Sequence, residues 1–324
     1  MNPVPESFVN AVLTQMSVGW MQNPDGFVAA KVFPVIPVDI QGGTFYEFSR
    51  ADFNRVVMKA RGPSTESAGG GWSITPTNYF AEVYAMHKDL DKRLLANFPV
   101  FNLQQSATNY LTQQALLHRE VDFATRFMVP AVWGTTVAGV AANPVPGQFL
   151  QWNNGNSTPV EDIRAGRTAV KLATGMNANK LVLGKRVWDQ LVDHPDIVDR
   201  IKGAAGPGNP AIVTRQAFAA LCELEEVLIM EAVQNTGLEN AAEANAFIGG
   251  NTALLCHSAA SPGPDTPSAG YTFAWKGYLG GSSPVEIETW WMQEIKSWRV
   301  EIEAAFVQQR IAAALGYFFN TAVA

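Results

Sequence analysis

The fold is decided by residues 41–80, which read QGGTFYEFSRADFNRVVMKARGPSTESAGGGWSITPTNYF. Strand-like alternation runs from Phe45 to Met58 and again from Ile74 to Ala85, which predicts two β-strands. Residues 61–71 between them are polar and glycine-rich and offer no apolar anchor, as expected of an exposed turn. The stretch is therefore predicted to form a long β-hairpin with a solvent-exposed tip.

Both the hairpin and the residues before it need support from another body. A two-stranded hairpin is only marginally stable by itself. Residues 33–38 read FPVIPV, and the prolines hold that segment extended. Such a leader is either a terminal strand packed on its own domain or an arm held by another copy of the chain, and both interpretations stay open here.

Composition favours a folded subunit that assembles with others. The chain has 324 residues, enough for one large or two modest domains. Charged residues make up 16% of it, below the roughly 25% of ordinary globular proteins, so we expect much surface to be buried against neighbours. The net charge of −6 argues against a protein that grips nucleic acid through its phosphates, since that requires concentrated Lys and Arg.

Two other features concern the environment of the protein. Cys222 and Cys256 lie in apolar stretches and are predicted to be buried free thiols rather than a disulfide. Residues 1–20 lack the basic start and the continuous apolar run of a signal peptide. The uncharged residues 127–160 are interrupted by prolines and turns and are interpreted as loops, so we expect no membrane partner.

The clearest helix is predicted over residues 102–128, with Asn102 as its N-cap. About 27 residues give a rod of roughly 40 Å, long for a compact domain. We expect one face of this helix, the spine helix, to be buried along its whole length. That face is predicted to carry Leu103, Ala107, Tyr110, Gln114, Leu117, Val121, Ala124 and Met128.

The middle of the chain is predicted to be a mixed α/β lobe. A helix starts after Thr158, where Glu161 completes a capping box, and ends at Gly175. Strands and helices then follow one another at residues 181–183, 187–192, 214–221, 227–230 and 253–256. Near the end, Trp298, Val300 and Ile302 alternate with charged residues, which predicts a half-exposed strand.

A search for chemistry yields no catalytic residue, no cofactor and no metal site. The four histidines show no zinc-like spacing, and residues 194–196 (His-Pro-Asp) are interpreted as a polar turn between helices. The GPGNPA string at 206–211 follows a helix and contains two prolines, so it is interpreted as a flexible loop and not as a dinucleotide-binding fingerprint. Gly184 and Lys185 lack the remainder of a phosphate loop. We therefore expect a protein that is not an enzyme.

The order of these elements resembles the major capsid proteins of tailed bacteriophages, whose Hong Kong 97-type fold is also used by encapsulin shells. The resemblance covers nearly the whole chain, and it rests on order more than on any single motif. It is carried by residues 61–66, 116–120, 152 with 158–163, 174–175, 179–184, 187–188, 191, 194–195 and 233–236.

The resemblance implies an α+β fold divided as in that family. The expected parts are an N-terminal arm (1–40), an extended loop or β-hairpin that lies across a neighbouring subunit (41–80), a peripheral domain with the spine helix (81–176), an α/β axial domain (177–284) and closing strands of the peripheral domain (285–324). Because the peripheral features begin within forty residues of Met1, no cleaved scaffolding segment is expected.

The resemblance also implies a function and partners. It implies a structural protein that self-assembles into hexamers and pentamers of an icosahedral head around double-stranded DNA, which it contains without sequence-specific binding. A separate scaffolding protein, a portal and a decoration protein are the further partners, with assembly in the host cytoplasm and a final location in the virion capsid. The expected intersubunit contacts are Arg50, Arg55, Arg61, Glu66 and Trp72.

Two alternatives remain from sequence. An encapsulin-like nanocompartment shell has the same fold but encloses a cargo enzyme instead of a genome. A cytosolic α/β enzyme with a pocket near residues 203–210 is the more distant alternative, and it predicts a monomer or small oligomer.

Overall fold

The computed structural model describes residues 21–97, 102–205, 212–238, 241–263, 266–280 and 283–324. Its α-helices are α1 (Ala29–Val32), α2 (Arg50–Phe53), α3 (Lys92–Asn97), α4 (Leu103–Phe127), α5 (Pro159–Thr174), α6 (Lys185–Val192), α7 (Pro195–Ala205), α8 (Arg215–Leu221) and α9 (Lys276–Leu279), with 3-10 turns at Pro24–Gly26 and Ala313–Leu315. Its strands are β1 (Val35–Val38), β2 (Gly42–Phe48), β3 (Ile74–Phe80), β4 (Glu82–Asp91), β5 (Thr135–Val140), β6 (Gln148–Leu150), β7 (Lys180–Gly184), β8 (Glu226–Met230), β9 (Val233–Asn235), β10 (Asn245–Phe247), β11 (Ala253–Cys256), β12 (Gly270–Trp275), β13 (Val285–Met292), β14 (Ser297–Arg310) and β15 (Gly316–Asn320).

A six-stranded sheet forms the core of the α/β lobe. Its order is β6-β5-β15-β11-β7-β8, with β15 parallel to β5 and antiparallel to β11. Strands β11 and β7 and the edge strand β8 are almost continuously apolar and buried, as expected of strands covered on both faces. The sheet takes β5 and β6 from residues 127–160, where the sequence predicted only loops. It also takes the C-terminal strand β15, which comes from the last predicted segment, residues 285–324. The predicted division of the chain into domains stays a prediction.

A five-stranded sheet is built around the long strand β14. This strand pairs with β4 along one side and with β13 and then β12 along the other, and β1 adds in parallel to β12. Val300 and Ile302 are buried against Ala107 and Leu111 of α4, which confirms the predicted alternation at these positions. Trp298, predicted on the same face, is 37% exposed near the end of the strand.

The spine helix α4 confirms the predicted helix within one residue at each end. The Asn102 side chain accepts a hydrogen bond from the Gln105 backbone N–H, as predicted for the cap. The predicted buried face is only partly right, because Tyr110 is 44% exposed and Leu111 is fully buried in its place. The buried side of the helix also contains two charged residues, Arg119 and Glu120, which an apolar pattern does not reveal.

Helix α5 begins and ends where the sequence predicted, but its N-terminal cap differs. Gly175 follows the helix with φ at 78°, the left-handed conformation that glycine adopts without strain. The Thr158 side chain makes no capping hydrogen bond. The Glu161 carboxylate forms an ion pair with Arg200 of α7 instead of reaching back to the start of its own helix. The predicted capping box is therefore wrong.

Residues 27–38 pack into the body of their own chain. Phe33 is fully buried and its ring lies 5.3 Å from that of Phe123 and 4.9 Å from that of Phe127. Strand β1 then pairs in register with β12, from Val35 opposite Thr272 onward. Of the two interpretations of the leader, the packed strand therefore describes this segment, while the amphipathic residues 8–16 lie outside the described part of the chain.

The two cysteines are buried and free, as predicted. Burial raises the pKa of both the Cys222 and the Cys256 thiol to about 12. In the described ranges, no helix is long and apolar enough to cross a membrane.

Candidate assembly surface

The hairpin is anchored at its base by aromatic stacking. Strands β2 and β3 pair antiparallel from Gly42 opposite Phe80 to Phe48 opposite Ile74. Tyr79 stacks on Phe273 of β12 with ring centroids 4.3 Å apart, and Phe45 lies 5.8 Å from the same ring. Such stacks stabilise beyond their buried area, so the base of the hairpin is fixed to its own subunit.

Both strands of the hairpin are shorter than predicted. Beyond their ends, hydrogen bonds between Asp52 and Ser73 join the two sides of the hairpin in a region termed the neck. Strand β2 stops at Phe48, and the short helix α2 follows. The Asp52 carboxylate accepts hydrogen bonds from the backbone N–H and the hydroxyl of Ser73, each at 3.0 Å. These bonds hold the pKa of Asp52 below its usual value and join the two sides of the neck. At the other end of the hairpin, β3 stops at Phe80 and β4 begins after a break at Ala81. The prediction of one continuous strand from Ile74 to Ala85 was therefore also wrong.

The tip beyond this neck carries large apolar side chains in full contact with solvent. Val56 is 91% exposed and Met58 is 93% exposed. Trp72 is 61% exposed and lies 6.2 Å from the ring of Phe53. Adjacent exposed apolar side chains of this size are typical of a surface that another protein covers.

The five residues predicted to make intersubunit contacts fall into two groups. Arg50 lies at the neck, and Arg55 and Trp72 lie beside it where the tip begins and ends: Arg50 donates to the Ala173 carbonyl of the body at 3.0 Å, and Arg55 lies 3.9 Å from Asp52. Arg61 and Glu66 lie farther out on the tip, where the Arg61 side chain donates to the Thr65 carbonyl. All of them are exposed, and their contact with another copy stays a prediction.

An apolar cleft of about 500 Å³ separates the neck from the body. Tyr46, Phe53 and Trp72 line it from the hairpin side, and Met176 and Leu315 line it from the body side. The hairpin therefore contacts its own subunit at its base and at Arg50 but leaves a gap between them.

Sequence reasoning missed two buried charged residues on the spine helix, Arg119 and Glu120. Glu120 accepts hydrogen bonds from the backbone N–H groups of Val28 and Ala29, and burial raises its pKa to about 7. Arg119 donates to Thr272 of β12 at 3.3 Å, and burial lowers its pKa to about 10. The only signal in the sequence is that charged residues 119 and 120 both fall within the helix register that buries Phe123 and Phe127.

A buried serine and histidine resemble a catalytic pair at first inspection. His194 Nε2 lies 3.0 Å from the Ser157 hydroxyl, but His194 Nδ1 accepts the Asp196 backbone N–H at 3.2 Å. With Nδ1 as acceptor, the proton sits on Nε2, so the imidazole is unable to take a proton from Ser157. The pair fixes the turn between α6 and α7. The predicted turn at residues 194–196 is right for His194 only, because Pro195 and Asp196 already belong to α7.

Two other predictions concern chemistry. No group of three or more His, Cys, Asp or Glu residues is arranged to hold a metal in the part of the chain that the structure describes. The flexible loop predicted at 206–211 lies outside the described residues, as does most of the pocket suggested for an enzyme at 203–210.

Comparison with known proteins agrees with the resemblance seen in the sequence. Residues 150–269 match the family described as phage major capsid protein E. Over 283 residues the chain is 23% identical to the major capsid protein of Burkholderia phage BcepMu, covering 83% of this chain and 84% of that protein.

Solved structures give the same fold. A phage-related protein from Bordetella bronchiseptica RB50 superposes with a TM-score of 0.70 at 22% identity, covering 93% of this chain and 94% of the other. The subunit of the bacteriophage PhiM1 mature capsid superposes with a TM-score of 0.57 at 12% identity, covering 94% and 89%. The chain therefore has the mixed helix and sheet fold of Hong Kong 97-like phage capsid proteins, which confirms the predicted fold class.

Proposed function

We propose that this chain is the major capsid protein of a tailed bacteriophage, a structural subunit that assembles with copies of itself into the shell of the head. The sequence match to a phage capsid family and to a curated major capsid protein supports this role. So does a fold shared with capsid subunits over nine-tenths of the chain. Neither the nanocompartment nor the cytosolic enzyme is favoured by these comparisons.

The observation that carries the proposal is the hairpin. Its base is stacked on Phe273, yet its tip presents Val56 and Met58 to water beyond a neck that is already closed by Asp52. Leaving such side chains exposed forfeits the stabilisation of burying them, roughly 1.5–3 kcal/mol each. A neighbouring copy that covers the tip recovers this free energy, and a closed shell lets every copy do so at once.

The finer parts of the function belong to the same proposal. We expect hexamers and pentamers in an icosahedral head, assembled in the host cytoplasm around double-stranded DNA. The net charge of −6 fits a wall that contains DNA without gripping it. A separate scaffolding protein, a portal and a decoration protein are further expected partners, and no catalytic role is assigned to the chain.

Electron microscopy of the purified recombinant protein tests the proposal. We expect closed shells of uniform diameter, with sedimentation far faster than a 35.1 kDa subunit. Nuclease-protected DNA in particles isolated from a phage lysate is the second expected result. A stable monomer under all conditions that assemble related capsids, or particles filled with an enzyme instead of DNA, contradicts the proposal.

A further inference from the structure

Asn154 and Gly155 are the only Asn-Gly sequence of the chain, and they lie in the turn between β6 and α5. An asparagine is able to react with its own main chain, because the amide nitrogen of the next residue can attack the side-chain carbonyl carbon and close a five-membered ring. The reaction is easiest before glycine, which has no side chain to hinder the approach. This turn therefore has the sequence that such a ring closure favours.

The nitrogen of Gly155 is accessible, and its proton is not engaged. Gly155 is exposed, and a Cβ atom built on it meets nothing within 4 Å. In the described part of the chain, the Gly155 N–H donates no hydrogen bond. Ring closure requires this proton to leave. An N–H that faces water loses no intramolecular hydrogen bond in that step, unlike one that is bound to a carbonyl.

The two neighbouring asparagines lack this feature. Asn153 is followed by the Asn154 N–H, which donates to the Gln151 carbonyl at 2.9 Å. Asn156 is followed by the Ser157 N–H, which donates to the Asn154 carbonyl at 2.9 Å. Ring closure at either of these asparagines has to break a backbone hydrogen bond. The turn therefore distinguishes Asn154 from two asparagines beside it in sequence.

The side-chain carbonyl of Asn154 is prepared for attack. Its Oδ1 accepts the Asn156 backbone N–H at 3.0 Å. Attack at Cγ moves negative charge onto this oxygen, and a donor that is already in place stabilises the charge that develops there. The same bond folds the side chain back along the turn, because its two ends lie on either side of residue 155.

The main-chain carbonyl of Asn154 has more donors than the side-chain carbonyl. Its oxygen accepts the Ser157 N–H at 2.9 Å, the Ser157 hydroxyl at 2.7 Å and the His194 Nε2–H at 3.1 Å. In the closed ring, water can attack either carbonyl carbon. Attack at the main-chain carbonyl is favoured, because these donors stabilise the negative charge on its oxygen. Opening at that carbon leaves the chain linked through the side-chain carbon, as isoaspartate.

We propose that Asn154 converts itself to isoaspartate in the folded protein. Hydroxide removes the Gly155 amide proton, and the nitrogen forms a bond to Cγ of Asn154. The Cγ–Nδ2 bond breaks, and the side-chain nitrogen leaves as ammonia with a proton from water, which gives a succinimide. Water then adds to the Asn154 main-chain carbonyl carbon and breaks its bond to the Gly155 nitrogen, which regains a proton. In total, one water is consumed and one ammonia is released.

The conversion changes both the charge and the main chain of the turn. Isoaspartate adds one negative charge and places the Cβ atom in the main chain. The turn also carries the fully buried Trp152, whose Nε1–H donates to Asp162 of α5 at 2.9 Å. The conversion is therefore expected to loosen the start of α5. Because the turn lies within one subunit, this inference does not depend on the proposed function, and in a shell the converted fraction records the age of the particle.

Peptide mapping by mass spectrometry, after incubation of the purified protein at mildly alkaline pH, tests the proposal. We expect Asn154 to show the mass change of an amide replaced by a carboxyl group, and Asn153 and Asn156 to stay unchanged. The rate is expected to rise in proportion to the hydroxide concentration, since the amide proton has to leave first. Fragmentation that distinguishes isoaspartate from aspartate is expected to identify isoaspartate as the main product.

Two variants separate the two steps. Gly155→Ala is expected to slow the conversion at least about fivefold, because the methyl group restricts the rotation that brings the nitrogen to Cγ. Ser157→Ala removes one donor from the main-chain carbonyl and is expected to lower the ratio of isoaspartate to aspartate about two- to tenfold, the effect of one hydrogen bond. Ser157→Thr keeps the hydroxyl and is expected to keep the wild-type ratio, which a purely structural role of Ser157 does not predict.

Thermal melts of fresh protein check that each variant folds, and Ser157→Thr replaces Ser157→Ala as the folded reference if the alanine variant unfolds. Incubated wild type is expected to melt at a lower temperature than fresh wild type, whereas incubated Gly155→Ala is expected to change much less. An intact Asn154 under conditions that convert the denatured chain overturns the proposal. So does equal conversion of Asn153 and Asn156, or aspartate as the main product of the folded protein. The reaction is expected in unassembled subunits and in shells alike, so a failure to assemble contradicts the proposed function alone.

Discussion

Glu120 of the spine helix and Ala29 are 91 positions apart in sequence, yet the Glu120 carboxylate lies 2.8 Å from the Ala29 backbone nitrogen. The same oxygen accepts the Val28 N–H at 2.9 Å. A buried carboxylate at the first turn of α1 satisfies two backbone donors that helical bonding leaves unpaired. This contact ties the leader segment to the spine helix.

Glu120 is expected to make the stability of the subunit depend on pH. Burial raises its pKa to about 7 in the folded chain, above the 4.5 of an ordinary glutamate side chain. The folded state therefore binds a proton more readily than the unfolded state, so this contribution is complete below about pH 4.5 and is lost as the pH rises through 7. In wild type, this effect is expected to lower the free energy of unfolding by up to about 3 kcal/mol between pH 4.5 and 7.5. In Glu120→Gln this decrease is expected to be absent.

The measurement is the free energy of unfolding of unassembled wild type and Glu120→Gln at several pH values. Arg119 and Lys31 lower the pKa of Glu120 through their charge, so Lys31→Gln is expected to move the transition to higher pH. Parallel pH profiles for wild type and Glu120→Gln would show that the carboxylate is already ionised throughout and refute this prediction.

The backbone of Gly249 and Gly250 lies so close to Gly184 that no side chain fits there without strain. A Cβ atom built there lies 2.1 Å from the Gly250 carbonyl oxygen, far inside contact distance, and the obstacle is backbone that has no flexible side chain to move. Gly184→Ala is expected to destabilise the lobe by about 2–4 kcal/mol through overpacking. Gly155→Ala is the matched control, because a Cβ there meets nothing within 4 Å. Chemical denaturation of both variants measures the difference, and equal stabilities would contradict it.

Local signals in the sequence predicted some of the helices and strands correctly, among them helices α4, α5, α6 and α8 and the buried strands β7, β8 and β11. The spine helix was found from the spacing of the side chains on its predicted face and from Asn102, and α8 from Thr214, whose hydroxyl accepts the Ala217 N–H as a cap. These features depend on residues within one turn of each other. The buried strands of the lobe were recognised for a similar reason, because an unbroken apolar run such as residues 227–230 is enough to identify them.

Contacts between distant segments account for what was missed. The packing of Phe33 against Phe123 and Phe127 fixes the leader, and no local pattern distinguishes this from a free arm. Glu120 is stabilised by backbone donors 91 and 92 positions away, so its charge appears out of place in a buried helix face. At the candidate site, the exposed tip was predicted from its composition, but the closure of its neck by Asp52 and Ser73 required the fold.

Neither cysteine is expected to react in the folded protein. Burial raises both thiol pKa values to about 12, so almost no thiolate exists at neutral pH. A maleimide added to native protein at pH 7.5 is expected to label less than about a tenth of the thiols in an hour. After denaturation, both cysteines are expected to be labelled. Mass spectrometry counts the adducts. Rapid labelling of native Cys222 would show that α8 opens locally and would refute the prediction for that residue.

The tip is expected to matter for assembly and hardly at all for the stability of one subunit. Val56→Ser with Met58→Ser changes two side chains that are more than nine-tenths exposed, so the free energy of unfolding of the monomer is expected to stay within about 0.5 kcal/mol of wild type. Burial against a neighbour is lost in every copy, and the free energies add over all contacts of the shell. Shell yield by sedimentation is therefore expected to fall at least about tenfold, whereas Leu172→Ser, 87% exposed on α5, serves as control for a lost surface apolar group. A monomer destabilised as much as the shell would mean that the tip folds onto its own subunit and that its exposure has no part in assembly.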